Sequence, residues 1–528
     1  MKPQTVLILD FGSQYTKLIA RRIREFHVFS LICPGPTVLD EIKKINPKAI
    51  ILSGGPASVH ENNSPKPDSN LMDYCKEKNI PVLGVCYGMQ WLTWAYNGKV
   101  EAAKQREYGQ ATIEWLKNSI LKPKNLNSSK QTQSVWMSHG DHIDVLPEEF
   151  ELLAQTQDGV PAVIQHMKDL VFGIQFHPEV THTEYGKELI ESFLNIANLK
   201  CDWKMENFLE QEIKKIKEII PPDAQVLCAL SGGVDSTVAA TLVHRAIGDR
   251  LHCVFVDHGL LRYQEKERVM KMVEKDLHIP VHCEDAQSRF LKKLEGVVDP
   301  EEKRKIIGTE FIRVFEDVSK QFEKKYGKIE YLVQGTLYPD VIESSVVSVG
   351  GKSHAVTIKS HHNVGGLPKD VKFKLIEPLK ELFKDEVREL GRELHIPVSF
   401  LSRHPFPGPG LAVRILGEIT PERIDILQQA DEIFIQSLKD ENLYHSVWQA
   451  FAVFIPVKTV GVQGDGRSHD YLIGLRSVNS SDGMTANVSE LPHDFLTKVA
   501  TKICNQVKGV NRVVYDISSK PPATIEWE

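Results

Sequence analysis

The sequence predicts an α/β protein with two doubly wound, mostly parallel-sheet domains and a smaller α+β domain at the C-terminal end. Short apolar runs that end in turn residues alternate with helical stretches through most of the chain, the pattern of a parallel sheet covered by helices. Two Pro/Gly-bearing breaks, Pro221-Pro222 and Arg403–Gly410, interrupt that rhythm. At 528 residues the chain is also too long for one core. The expected domains are therefore residues 1–200, 201–402 and 403–528.

Each element follows in order. Val6–Asp10 reads as the first strand and Tyr15–Phe26 as the first helix. Ile50–Leu52 and Val82–Val85 are further short strands, the latter turning into a helix at Met89–Tyr96. Phe172–Phe176 is an apolar strand that ends in His177-Pro178-Glu179. Cys201–Ile220 is a charged amphipathic helix stopped by the Pro-Pro pair, a natural domain junction. The second unit repeats the pattern with strands at Val226–Leu230, Cys253–Asp257 and Tyr331–Gln334, and a helix at Thr237–Ala246. Beyond Gly410 the strands alternate, as in Val513–Ile517.

Composition narrows the function. Hydrophobic content of 41% and charged content of 25% describe an ordinary soluble globular protein. A net charge of −6 argues against a nucleic-acid surface spread over the whole molecule. The eight cysteines are dispersed with no Cys-x-x-Cys pair, which disfavours a disulfide framework or a zinc site and favours reduced thiols in cytoplasm. No apolar run approaches a membrane span, and Met1–Thr5 runs straight into a strand with no signal peptide.

Two loops carry chemistry. The first is Ser231-Gly232-Gly233-Val234-Asp235-Ser236-Thr237, between a strand and a helix. Bare backbone N–H groups at a helix N-terminus cradle anions, and adjacent glycines allow a phosphate to approach. A Walker loop would place a lysine here; Asp235 stands instead, suited to a magnesium ion on phosphate oxygens. The expected chemistry is pyrophosphate release with adenylylation of an acceptor. The second loop is Gly84-Val85-Cys86-Tyr87-Gly88, a nucleophile elbow with cysteine in place of serine. The helix behind Cys86 favours its thiolate. His177 is the expected base, and Glu179, two residues on in extended chain, can orient the imidazole.

Resemblances extend this reading. Ser231–Ser236 matches the signature loop of the ATP pyrophosphatase family, which residues from about 205 to 400 resemble; the likeness implies ATP binding by Ser231–Thr237, Val256 and Gly335. Cys86, His177 and Glu179 match the triad of class I glutamine amidotransferases, which the first domain resembles throughout. That implies attack of Cys86 on the glutamine carboxamide, release of ammonia, and hydrolysis of the thioester to glutamate. Ser53-Gly54-Gly55-Pro56 matches that family's oxyanion segment, with Gly55 and Tyr87 as N–H donors and Gln90 helping to hold glutamine. An ammonia source joined to an adenylylating domain is an amide- or amine-forming synthetase.

The acceptor follows from likeness alone. Gln334–Asp340, Ile358–Gly366 and Lys520–Glu528 resemble the GMP synthetase family. The resemblance implies XMP as acceptor, bound by Arg304, Gln449, Arg512, Lys520, Thr524, Ile525 and Glu526, with Arg512 reaching across a homodimer made by the C-terminal domain. It also implies Lys359 as a phosphate clamp, and magnesium held with ATP by Asp235, Asp340 and Glu343. Arg304 equally fits a solvated helix face in the charged run Glu301–Lys305. Asp340 equally fits a cap on the turn after Pro339. A synthetase aminating another acceptor, a tRNA-modifying pyrophosphatase and a binding protein with a dead amidotransferase fold are the rivals. Intact Cys86, His177 and Glu179 oppose the last.

Overall fold

The computed structural model describes residues 3–61, 63–126, 131–344, 373–463, 465–480, 483 and 485–528. The chain forms two compact units, the first running to Phe208 and the second beginning at Leu209.

In the first unit Thr5–Asp10 lies between parallel neighbours Phe29–Pro34 and Ala49–Leu52. Val82–Val85 and then Val171–Ile174 extend the parallel sheet. Val6–Leu9 are fully buried, as a strand covered by helices on both faces requires. Beyond Val171–Ile174 the sheet turns antiparallel through Pro161–His166, Phe150–Thr156, Lys99–Trp115 and Thr132–Val145. This extension is absent from the sequence reading because its outer strands, Lys99–Trp115 and Thr132–Val145, are long and half-polar, without the apolar run that marks a parallel strand.

The second unit carries a parallel five-stranded sheet in the order Val281–Asp285, Leu251–Asp257, Gln225–Leu230, Ile329–Val333, Lys374–Ile376. From Gln225–Leu230 the chain passes first to one side of the sheet and later to the other. The strand's C-terminal end is thus a topological switch point, where open α/β sheets hold ligands. Gln449–Gln463 and Gly466–Asn479 form a long antiparallel pair, and Val510–Asp516 joins the latter in parallel. The two sheets share one core: Leu227 and Val254 belong to the same apolar cluster as Phe434, Phe454 and Ile473. The break at Arg403–Gly410 is a change of sheet within one packed unit.

Candidate functional site

Cys86 sits between the strand Val82–Val85 and the helix Tyr87–Ala95 with φ +50° and ψ −107°. A non-glycine residue held there is strained, on the order of 1–3 kcal/mol, and needs its surroundings to enforce it. The flanking glycines explain how. A Cβ on Gly88 would lie 2.3 Å from the Leu52 carbonyl oxygen, and one on Gly84 would lie 2.6 Å from the Gly88 carbonyl carbon. Only bare backbone lets the helix close down on the sheet at this turn.

His177 and Glu179 follow the strand Val171–Ile174, the parallel neighbour of Val82–Val85, so register brings them to Cys86. His177 Nδ1 and Glu179 Oε1 are 2.7 Å apart, with both side chains buried. The His177 amide donates to the Trp136 carbonyl, its own carbonyl accepts from Thr183 Oγ1 at 2.6 Å, and Tyr15 meets its ring edge-on. Burial opposes the imidazolium. The Glu179 charge, the Cys86 contact and the Glu179 hydrogen bond outweigh it, and raise His177 to about 10. His139, where burial dominates, is pushed down to about 4.

The oxyanion segment closes the site. A Cβ on Gly54 would lie 3.2 Å from His177 Cε1 and 3.6 Å from Cys86 Cβ, so this turn lies against both candidate side chains. Ser53 accepts from the Phe11 amide, and a Cβ on Gly55 would strike the Phe11 carbonyl oxygen at 2.6 Å. The Gly88 amide donates to Ser53, whereas those of Gly55 and Tyr87 donate to no group among the described residues. Gln90 Nε2 donates to the Asp141 carbonyl, and Cys86 Sγ lies 3.6 Å from the Ser138 carbonyl oxygen. The strand Thr132–Val145 therefore walls the site, a contribution that motif reading missed.

In the second unit Ser231–Gly233 leads from Gln225–Leu230 into the helix Val234–Ile247, with Gly232 at φ +75°. Ser236 Oγ accepts from the Ser231 amide and Thr237 Oγ1 donates to the Gly233 carbonyl, so side chains fix the cradle. Gly335 packs against the loop: its Cβ would lie 3.2 Å from the Ser236 nitrogen. Val256 is buried on the neighbouring strand Leu251–Asp257. Asp235 Oδ1 is buried without a hydrogen-bond partner, and Oδ2 lies 3.5 Å from Lys384 Nζ. Arg403 reaches the Gly232 carbonyl at 3.4 Å. Lys384 and Arg403 are cations at the loop that the sequence reading missed. One signal was available, since Lys384 opens a helix at the end where a positive charge is unfavourable.

Asp340 accepts from the Leu337 amide at 2.9 Å, the capping alternative. Glu343 lies in the helix Tyr338–Ser344, but its side chain and all of Lys359 fall outside the described residues. The nucleotide residues assigned to the C-terminal end are drawn together. Glu526 takes a two-pronged contact from Arg414 at 2.9 and 3.0 Å and a hydrogen bond from Gln449 at 2.8 Å. Arg476 donates to the carbonyls of Thr524 and Ile525, and Lys520 to that of Gly483. Arg304 donates to the Glu528 carbonyl, so it is a tail contact rather than a solvated face. Arg512 stands exposed on Val510–Asp516. Arg414 was missed, although an arginine inside the apolar run Leu411–Leu416 was a visible sign.

Three family models match successive parts of the chain. Residues 7–197 match the model for glutamine amidotransferase class-I, 203–306 that for NAD synthase, and 436–527 that for the GMP synthase C terminal domain. Relatives named GMP synthase [glutamine-hydrolyzing] are similar end to end. The Thermosipho melanesiensis protein is 52% identical over 99% of this chain and 100% of its own length. The Aquifex aeolicus protein is 51% identical over 100% of both chains, and that of Helicobacter pylori 55% over 99% and 100%.

Proposed function

The chain belongs to the glutamine-hydrolysing GMP synthase family, and from that premise we propose how its residues divide the reaction. The enzyme is a ligase: it hydrolyses glutamine to ammonia, activates XMP with ATP, releases pyrophosphate, and aminates the adenylyl intermediate to give GMP and AMP. One observation carries the assignment of residues to the first half. Cys86 is held at a strained elbow beside a His177–Glu179 pair that keeps the imidazole charged.

Cys86 Sγ attacks the glutamine carboxamide, and the oxyanion forms against the Gly55 and Tyr87 amides, which donate to no group among the described residues. His177 gives its proton to the departing ammonia and then takes one from the water that opens the thioester. Glu179 keeps the ring oriented and stabilises its charged form.

The Ser231–Thr237 cradle holds the phosphates that leave, and the XMP 2-oxygen attacks the α-phosphorus. A magnesium ion carried with ATP needs only one or two protein carboxylates. Asp235 suits that role, since its buried Oδ1 has no partner among the described residues. When bound, such an ion neutralises phosphate charge. Lys384 and Lys359 are the cations assigned to support it. Thr524–Glu526, Gln449 and Lys520 hold XMP, and Arg512, exposed, completes the site from a second copy. Exposed Val460, Val462 and Val514 on the C-terminal sheet, with Ile517 just beyond it, favour that homodimer; a monomer in sedimentation at micromolar concentration counts against it. Eight free cysteines are in keeping with a reducing compartment. Among the described residues no helix is long and apolar enough to cross a membrane.

The test supplies ATP, magnesium and ammonium with a panel of acceptors and measures pyrophosphate. XMP alone is expected to elicit it; release with another acceptor at equal efficiency overturns the assignment.

A further inference from the structure

Three cations are buried around the C-terminal tail of the second unit. The side chains of Lys303, Arg414 and Arg476 are each 0% exposed. Each holds a different part of the tail. Arg476 donates to the carbonyls of Ser518, Thr524 and Ile525. Arg414 grips the Glu526 carboxylate through Nε and Nη2. Lys303 donates to the Glu528 carboxylate and to the carbonyls of Ala412 and Ile415.

Buried ion pairs are poor stabilisers, because desolvation offsets most of the attraction and apolar replacements often do as well. Two of them on one short peptide, with a third buried cation on its carbonyls, point to a demand for position rather than stability. Arg414 stands out among them. Its guanidinium lies over the rings of Phe451 (4.1 Å) and Phe406 (5.1 Å), which leave it little freedom to move. Its Nη1 is buried with no hydrogen-bond partner among the described residues, so the fork is aimed at Glu526 at the cost of an unmade bond. Gln449 donates to the same Glu526 oxygen that Arg414 Nη2 reaches.

We infer that Arg414 is a positioning residue for the purine nucleotide: it aims the Glu526 carboxylate before XMP arrives, while Arg476 holds the backbone ahead of it and Lys303 the Glu528 carboxylate beyond it. This deepens the reading of Glu526 as an XMP contact and rests on it. A rigid bidentate pair sets direction as well as charge, which a lysine cannot reproduce.

The test uses the full chain with ammonium as nitrogen source, and measures KM for XMP, KM for ATP, kcat and thermal midpoint. Arg414→Gln is expected to raise KM for XMP by ~10- to 100-fold, the scale of a misaimed contact. KM for ATP should stay within about two-fold, since the ATP cradle keeps its own contacts. Arg414→Lys should recover part of the loss. Because Arg414 acts through Glu526, the Arg414→Gln/Glu526→Gln double variant should match Glu526→Gln alone in KM for XMP. It should also melt higher than Arg414→Gln, since no buried charge is left unpaired. If Glu526→Gln raises KM for XMP but Arg414→Gln does not, the inference fails. If Glu526→Gln leaves KM for XMP unchanged, the underlying reading of Glu526 fails instead. Should Arg414→Gln not fold, the double variant decides: a KM for XMP well above that of Glu526→Gln alone means Arg414 acts independently and overturns the proposal.

Discussion

Replacing Glu179 by glutamine keeps the shape beside His177 and removes the charge. His177 rises from 6.5 to about 10 against the opposing effect of burial, with Glu179 as the largest favourable contribution. At about 1.4 kcal/mol per pH unit, the charged imidazole is favoured by on the order of 5 kcal/mol. Without that carboxylate only the Cys86 contributions oppose burial, and the value falls from about 10. At pH 7 less of the variant's imidazole is then charged and able to donate to ammonia. Glutamate release should drop ~10²- to 10⁴-fold, the scale of general acid–base and orienting groups. Stability supplies a second readout. A folded-state value above the unfolded one stabilises fully below pH 6.5, and that stabilisation fades as pH climbs through about 10. Melting midpoints of wild type and variant should therefore differ most at neutral pH and below, and converge in alkali. Glutaminase activity at the wild-type rate with an unchanged pH profile would refute the reasoning.

Other perturbations separate the remaining parts. Asp235→Asn, which removes the charge beside Lys384, should cut AMP and pyrophosphate formation by ~10²-fold or more while glutamine hydrolysis persists; AMP formation at the wild-type rate counts against the cradle assignment. Gly88→Ala places a methyl 2.3 Å from a backbone oxygen. It should cost ~1–3 kcal/mol of stability, seen as a lower melting midpoint, and loosen the elbow enough to lose glutaminase activity. An unaltered midpoint would mean that the turn tolerates a side chain.

Much of this was legible in the sequence because parallel strands and their turns are marked locally. Val6–Asp10 is observed as Thr5–Asp10, and Val226–Leu230 as Gln225–Leu230. The proximity of Cys86 to His177 and Glu179 was legible because they follow apolar strands, and adjacent strands bring those ends together. The antiparallel wall from Lys99 to His166 was not, since its pairing depends on register between distant segments. Lys384 and Arg414 were missed for a related reason: nothing near them in sequence reveals their partners Asp235 and Glu526. The tail's residues were named from likeness; what holds them emerged only from packing.

The central claim is that one chain carries two separable chemistries, an ammonia-releasing cysteine and an adenylylating loop. Cys86→Ala tests it most directly, with GMP formation followed from glutamine and from added ammonium. Glutamine-dependent synthesis should vanish, while ammonium-dependent synthesis stays within about two-fold of wild type, because the thiol takes no part in the second half. Loss of both activities in a folded variant, or synthesis from glutamine without the thiol, would contradict the account.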